Sequence, residues 1–263
     1  MKIVVCVKHV PDAQADRGFA ADTTTDREAV DGLLSELDEY AVEEALRLRE
    51  AGEDIEVVVL TVGPDDARDA LKKALQMGAD GAVLLSDEGV HGSDAIGTSL
   101  VLARALQHVG FDLVITGMAS TDGSMGVVPA MVAERLGVAQ LTYASEVGLT
   151  AGPGGGTVRI RRDGDAASET VEATLPALVS VTDRVNEPRY PSFKGIMAAK
   201  KKPVTELSLA DVGVGAAEVG TAAARARVVR ATARPPKQAG TVVVDSGDGA
   251  ARLVAFLTAQ KLV

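Results

Sequence analysis

The segment from Gly117 to Gly126, Gly-Met-Ala-Ser-Thr-Asp-Gly-Ser-Met-Gly, carries the residue types best suited to holding an anion. Glycines let backbone N–H groups come close to a bound group, and a helix N-terminus just beyond adds positive potential, so the segment could cradle a phosphate. It follows neither the Gly-x-Gly-x-x-Gly nor the Walker spacing, and an ordinary strand-to-helix turn closed by a capping Ser or Asp is the competing reading. With no lysine in the segment for a triphosphate tail, the phosphate expected is a monophosphate. Asp122 and Ser124 would make a base and a nucleophile only with a histidine beside them, and the spacing nominates none. His9, His91 and His108 are too scattered for a metal site, and His108, near a helix end, reads as a surface cap. Cys6 closes an apolar strand and reads as a small core residue. Neither catalytic side chains nor a metal are therefore expected.

A second stretch has a different chemistry. Asn186-Glu187-Pro188-Arg189-Tyr190 leads through Phe193 and Ile196-Met197 into Lys200-Lys201-Lys202. Pro188 and Pro191 fix φ and deny helix to the residues before them, which predicts an extended loop with its side chains turned outward, then a short helix ending in positive charge. Apolar anchors beside a basic cluster on an otherwise acidic chain read as a docking surface for a protein partner. The plainer reading is a solvated loop and a lysine-rich helix end that suits the macrodipole.

The elements that must position these residues alternate along the chain. Lys2 to Val7, Ile55 to Val62, Gly81 to Leu85 and Leu113 to Thr116 are continuous apolar runs suited to strands buried on both faces. Between them fall helices at Leu37 to Glu50, with Ala41, Ala45 and Leu48 on one face, at Asp65 to Met77, at Asp94 to His108 capped by Ser93, and at Val127 to Leu136. Gly52, Gly78, Gly110 and Gly137 stop them. Glu36, Asp38, Glu39, Glu43 and Glu44 read as a solvated acidic face with favourable first-turn charge. The alternation predicts an α/β fold: a doubly wound, mostly parallel sheet of the Rossmann-like, adenine-nucleotide-binding kind. Leu141 to Leu149 and Thr157 to Arg161, joined by a turn at 152–156, predict an antiparallel extension. The Ala- and Gly-rich stretch from Thr205 predicts a C-terminal arm ending in an amphipathic piece, Leu253 to Leu262. In such a sheet, chemistry sits at the carboxyl ends of the strands near a topological switch point. Three loops converge there: Cys6 to Asp12, Ser35 to Asp38, and Gly117 to Gly126.

Composition excludes some functions. At 46% hydrophobic residues over 263, the chain can bury a full core, and with only 3% aromatics that core must be Ala, Val, Leu and Ile. A net charge of −10 argues against a nucleic-acid surface, which needs a basic stripe to displace counterions. One cysteine forms no internal disulfide, no signal peptide is expected after Met1, and no apolar run approaches a membrane span, so a cytoplasmic protein without direct membrane insertion is expected.

Asp38-Glu39-Tyr40-Ala41-Val42-Glu43-Glu44-Ala45, Met77-Gly78-Ala79-Asp80, Ser120-Thr121-Asp122-Gly123, Leu175-Pro176-Ala177 and the Asn186 to Lys202 loop stand in the order found in electron transfer flavoprotein beta subunits. Residues 1 to 203 closely resemble that family. The resemblance implies an electron carrier, not an enzyme: a beta subunit paired with an alpha subunit that holds most of a redox FAD, with a structural AMP in beta. By similarity, AMP contacts the backbone of Cys6, then Ser35, Glu36, Leu37, Asp38, Val62, Gly117, Met118, Ala119, Ser120, Thr121, Asp122, Gly123, Ser124, Met125, Gly126, Val127 and Val128, with Asp122 central. Leu37, often aromatic in the family, approaches the flavin ring, and Ser35 stands where Asn is common. The resemblance also implies acyl-CoA dehydrogenases as electron donors and a membrane electron transfer flavoprotein–quinone oxidoreductase as acceptor, which would place the chain in fatty acid β-oxidation, with the Asn186 to Lys202 loop as the family's recognition element. In domain terms, residues 1–204 are expected to form the nucleotide-binding domain with the recognition loop at 181–203, and 205–263 an arm packing on the alpha subunit. Two further readings stay open: an electron-bifurcating member with a second FAD in beta, and a stand-alone adenine-nucleotide-binding sensor.

Overall fold

The structure, a computed structural model, describes residues 1–52, 54–150, 155–232, 235–236 and 239–263. The predicted turn at 152–156 lies, in its 152–154 part, outside the described residues. Eleven strands are present among them: β1 Lys2–Cys6, β2 His9–Pro11, β3 Gly32–Leu34, β4 Glu56–Val62, β5 Gly81–Leu85, β6 Leu113–Gly117, β7 Ala139–Thr150, β8 Thr157–Asp163, β9 Ser168–Thr174, β10 Ala177–Val181 and β11 Val204–Leu207. The helices are α1 Glu36–Ala51, α2 Arg68–Met77, α3 Ala95–Val109, α4 Val128–Leu136, α5 Phe193–Ala199, α6 Gly220–Ala223 and α7 Gly249–Ala259.

Nine strands form one sheet in the order β11-β5-β4-β1-β6-β10-β7-β8-β9, while β2 and β3 make a separate antiparallel pair. From β11 to β7 every pairing is parallel, and β8 and β9 are antiparallel. Strand side chains alternate across the sheet, so the β-branched runs divide between two cores. Ile3, Val5, Val57, Val59, Leu113 and Ile115 join the α1–α2 side. Val4, Val58, Leu60, Val83, Val114 and Leu178 join the α3–α4 side. The chain runs outward from β1 through β4 to β5, then α3 carries it back to β6 on the other flank of β1. That reversal makes the β1/β6 edge the switch point.

Glycines follow α1, α2, α3 and α4 as expected, and Gly137 takes the left-handed conformation (φ 68°, ψ 31°) that a side chain would resist. The cap of α3 is Asp94, not Ser93. Its carboxylate accepts from the N–H groups of Ile96 (2.9 Å) and Gly97 (3.0 Å). The Ser93 hydroxyl is used elsewhere and accepts from Gly220 N at 2.7 Å. The antiparallel extension is present as β7 and β8, with β9 added beyond them. β10, buried along its whole length, slots between β6 and β7.

The chain divides into two compact units, Met1–Val229 and Arg230–Val263. The first therefore reaches well past residue 204. β11 pairs with β5, and Leu207, Leu209, Val212, Val214 and Val219 are buried in the α3–α4 core. In the second unit α7 leaves Leu253, Val254 and Phe256 more than half exposed. Among the described residues, no helix is long and apolar enough to cross a membrane.

Full burial of an aliphatic side chain contributes about 1.5–3 kcal/mol, and five such residues between 207 and 219 belong to the first core. Ending the chain after Val229 should therefore leave a cooperative thermal transition close to that of the full chain. Ending it after Pro203 should abolish the transition, as scanning calorimetry would show.

Candidate functional site

At the carboxyl ends of β1 and β6, Val7 N still pairs with the Leu60 carbonyl and Met118 N with the Val181 carbonyl, while the N–H groups of Lys8 and Gly117 turn to a side chain. One side chain takes both: the Asp38 carboxylate accepts from Lys8 N at 2.9 Å and from Gly117 N at 3.3 Å. The approach leaves no room for a side chain at 117, since a Cβ there would lie 2.6 Å from Asp38 Oδ1 and 2.8 Å from the Leu37 carbonyl. Ser35 closes the third side. Its N–H donates to the Lys8 carbonyl at 2.9 Å and its hydroxyl accepts from Thr121 N at 3.4 Å. The three loops singled out in the sequence thus meet at one crevice.

Asp38 is fully buried, and that burial pushes its carboxyl up to about 7 against the opposing N–H bonds from Lys8 and Gly117. Burial, with Asp38 adding, raises the neighbouring Cys6 thiol to about 12, and the half-buried Cys6 packs against the α3–α4 core.

The Ser120 to Gly126 loop is held by cations. Lys8 Nζ lies 2.8 Å from Asp122 Oδ1, and Arg27 Nη2 lies 3.0 Å from Asp122 Oδ2. Arg17 Nη1 donates to the Thr121 carbonyl at 2.8 Å. Burial works to raise the Asp122 carboxyl, but the charge and hydrogen bond of Lys8, together with bonds from Ser120 and Gly123, hold it well below the usual carboxylate range. The Asp122 side chain is thus spent within the protein. The Gly123 and Ser124 N–H groups are spent too: Gly123 N donates to Asp122 Oδ1 (2.6 Å), and Ser124 N to the Ser120 carbonyl (3.0 Å).

The donors left for an anion lie one turn further on. α4 begins with Val127 at its N-cap and no side-chain capping bond, so the turn with a capping Ser or Asp is not what forms here. First-turn N–H groups of an uncapped helix have no intrahelical partner, and with Pro129 lacking an N–H those of Val128 and Ala130 are the ones α4 offers. Thr121 Oγ1 is buried without a hydrogen-bond partner among the described residues. An orphaned hydroxyl, an uncapped helix start and the Lys8, Arg17 and Arg27 cations around one loop fit a phosphate-bearing ligand. Around them, Val62 closes β4, half-buried like Cys6, Leu37, Met118, Ala119, Gly126 and Val128, while Glu36, Met125 and Val127 are exposed. Tyr143 borders the loop in a left-handed conformation (φ 61°) and donates its hydroxyl to the Gly126 carbonyl at 3.3 Å.

Lys8, Arg17, Arg27 and Tyr143 are the residues that the sequence did not single out as functional. Lys8 had a usable signal, standing two residues beyond a buried strand at the carboxyl end of the sheet. Arg17 and Arg27 lie in a stretch without periodicity, and nothing local marks them.

The docking segment differs from expectation at three positions. Arg189 is clamped on α1 by Glu43 (Nε to Oε2, 2.7 Å) and Glu50 (Nη1 to Oε1, 2.5 Å). Asn186 Nδ2 donates to Glu44 Oε2 (2.9 Å) and to the Tyr40 carbonyl (3.1 Å). Lys202 Nζ donates to the Leu75 carbonyl at 3.1 Å, and burial lowers its pKa. These three face inward, leaving Glu187, Tyr190, Phe193, Ile196, Met197, Lys200 and Lys201 exposed and Pro188 half-buried. For the same reason most of the acidic face of α1 is not solvated: Asp38, Glu43 and Glu44 are buried and Glu39 half-buried, while Glu36 is exposed. Their partners stand far away in sequence, beyond the reach of a local pattern.

The electron transfer flavoprotein domain family matches residues 22–212. The electron transfer flavoprotein subunit beta of Mycobacterium tuberculosis is 51% identical, with 99% of each chain covered. The protein of the same name from Megasphaera elsdenii is 32% identical over 100% of this chain and 98% of its own. The caffeyl-CoA reductase–Etf complex subunit CarD of Acetobacterium woodii is 33% identical, with 92% of each covered.

The raised Asp38 carboxyl has a testable sign. The folded state binds this proton more tightly than the unfolded chain, so the stability it contributes is fully present below about pH 4 and declines as pH rises toward 7. Asp122 acts oppositely and lower, contributing above about pH 4 and losing its contribution in stronger acid. Asp38→Asn should lower stability at every pH, because an amide NH2 would face an N–H donor, and should flatten the slope between pH 4 and 7. Urea midpoints across that range provide the check.

Proposed function

This chain belongs to the electron transfer flavoprotein beta-subunit family, and from that premise we propose that, with an alpha subunit, it forms a carrier between acyl-CoA dehydrogenases and a membrane quinone oxidoreductase in the cytoplasm. The alpha subunit holds most of the FAD, which when bound supplies the uptake and release of electrons. The residues of this chain bind, orient and present. The Leu37 end of α1 faces the flavin. The crevice at the β1/β6 edge takes AMP, its phosphate at the α4 N-terminus and its polar groups within reach of the Thr121 hydroxyl. The apolar side chains of α7, Leu253, Val254 and Phe256, would be costly to leave in water and pack on the alpha subunit.

The observation that carries this reading is Phe193, 80% exposed beside Tyr190 at 92%, on a loop whose flanks are tied down. A large apolar side chain held rigidly in water is an anchor awaiting a partner pocket.

One observation favours a second reading of the crevice. The expectation of a monophosphate rested on the absence of lysine from the loop, yet Lys8 reaches it from the β1 end and Arg17 and Arg27 from the following segment. These cations would also suit a diphosphate, as in a second FAD used for electron bifurcation. Denaturing the purified heterodimer and identifying what it releases decides between them: AMP together with FAD in equal amounts is expected, and FAD alone at twice that amount would establish the bifurcating form.

Docking is tested separately. A buried anchor commonly contributes about 2 kcal/mol or more, so Phe193→Ala should slow electron transfer from a reduced dehydrogenase more than about tenfold at every salt concentration. Charge reversal at Lys200 and Lys201 should act mainly at low ionic strength, since salt screens exposed charge. Neither change should alter flavin content. Wild-type transfer by Phe193→Ala would remove the loop from recognition.

A further inference from the structure

β7 is irregular where it pairs with β10. The parallel register slips between Val179 and Val181, so that Ser180 stands opposite both Thr142 and Tyr143. This is a β-bulge, a device that bends a strand and re-aims a side chain. Tyr143 sits in it at φ 61°, a left-handed conformation that a bulky side chain resists. The other non-glycine residues with positive φ among the described residues, Thr23, Asp54, Ser124 and Lys261, lie outside strands. The bulge is held from two sides. The buried Ser180 hydroxyl accepts from Tyr143 N at 3.0 Å, and Arg162 Nε donates to the Thr142 carbonyl at 2.7 Å.

The bulge brings the Tyr143 hydroxyl to the turn before α4, where it donates to the Gly126 carbonyl at 3.3 Å. The approach is close enough that a Cβ at 126 would lie 2.5 Å from the hydroxyl oxygen, and Gly126 itself has a φ of 67°. A trans peptide sends its C=O and N–H in opposite directions. A Gly126 carbonyl fixed on Tyr143 therefore also fixes the N–H of Val127, which shares its peptide plane. Val127 is right-handed (φ −103°, ψ −21°). A left-handed residue followed by a right-handed one turns successive N–H groups toward one side, the concave arrangement that takes anions. Neither Gly126 N nor Val127 N has an acceptor among the described residues. The first-turn N–H of Val128 follows directly after them.

Backbone strain of this kind persists where the surrounding structure over-determines it, and it gathers at ligand clamps. Packing alone does not call for the hydroxyl, since a phenyl ring at 143 would fill the same half-exposed position. What the hydroxyl adds is a hold on one peptide plane, and that plane carries an unspent N–H at the turn where the anion is expected. We propose that Tyr143 is a positioning residue for the phosphate: through the Gly126 carbonyl it orients the N–H groups of residues 126–128 before a ligand arrives, so that less ordering remains to be done on binding. The proposal rests on the nucleotide-binding reading of the crevice given above.

The decisive variant is Tyr143→Phe in the flavin-loaded heterodimer, because it keeps the ring and removes the hydroxyl alone. Calorimetric titration of the heterodimer, dialysed free of AMP, with AMP and separately with adenosine divides the phosphate's share of binding from the nucleoside's. The expected result is an AMP affinity lowered about three- to tenfold, the range of one lost hydrogen bond. Adenosine affinity and the melting temperature of the AMP-free protein should not change, and amide exchange at Gly126 and Val127 should quicken. Tyr143→Asn, which tolerates the left-handed backbone, should repeat the phosphate-specific loss and serves if Tyr143→Phe folds poorly. Wild-type AMP affinity in both variants, or an equal loss for AMP and adenosine, would overturn the proposal. If the wild-type heterodimer binds neither AMP nor adenosine, the nucleotide reading fails instead, and unchanged exchange at Gly126 and Val127 in Tyr143→Phe then refutes the positioning role on its own.

Discussion

A doubly wound sheet opens a crevice where its winding reverses, and something must hold the diverging strand ends. Here that element is the Asp38 carboxylate, a short side chain whose two oxygens take the orphaned N–H groups of Lys8 and Gly117. Each N–H left buried and unpaired would cost about 1–3 kcal/mol, so the clasp has a large stake in the fold. Much else follows from it. Gly117 must lack a side chain, Ser35 must be small and buried to reach Thr121, and the β1 loop must turn so that Lys8 points toward Asp122. The site is therefore assembled by backbone accounting at the switch point before any ligand enters the argument.

The same helix that supplies Asp38 supplies Glu43 and Glu44, all buried on a chain of net charge −10. Placing carboxylates inside an acidic protein works only because each has a designated partner: backbone N–H groups for Asp38, Arg189 for Glu43, Asn186 and Arg47 for Glu44. Such pairs add little net stability over apolar packing but penalise any other register. α1 is thus tied to the sheet edge at one end and to the docking loop along its length.

This explains what the sequence made legible and what it hid. The buried strands β1, β4, β5 and β6 announce themselves through β-branched runs, and the helix ends through glycine, because both signals are local. The convergence of three loops followed from topology alone. Asp122, by contrast, stands 114 residues from Lys8 and 95 from Arg27, and Glu43 stands 146 from Arg189. No periodicity encodes such pairs, so an acidic helix face looked solvated and a clamped arginine looked free. β10 was hidden for another reason: Ala177 to Val181 is as long as β5 or β6, but it follows β9 with no helix between them, so the strand–helix alternation does not pick it out until its neighbours β6 and β7 are known. Residues 207–219 looked like an arm because five buried aliphatic side chains are spaced among glycines and alanines.

A carrier that serves two partners in turn must bind each briefly. Weak electron-transfer encounters sit at the small end of interface sizes, where one good anchor and a charged rim suffice. On the proposed docking role, the 186–202 segment has that economy: Phe193 and Tyr190 stand out with Lys194, Lys200 and Lys201 exposed nearby, while Arg189 and Lys202 are withdrawn into the framework. A broader apolar surface would lengthen each complex and slow turnover. On the proposed docking role, few exposed contacts on an over-determined base satisfy that requirement, and the buried ion pairs of α1 provide the base without adding any surface for a partner to hold.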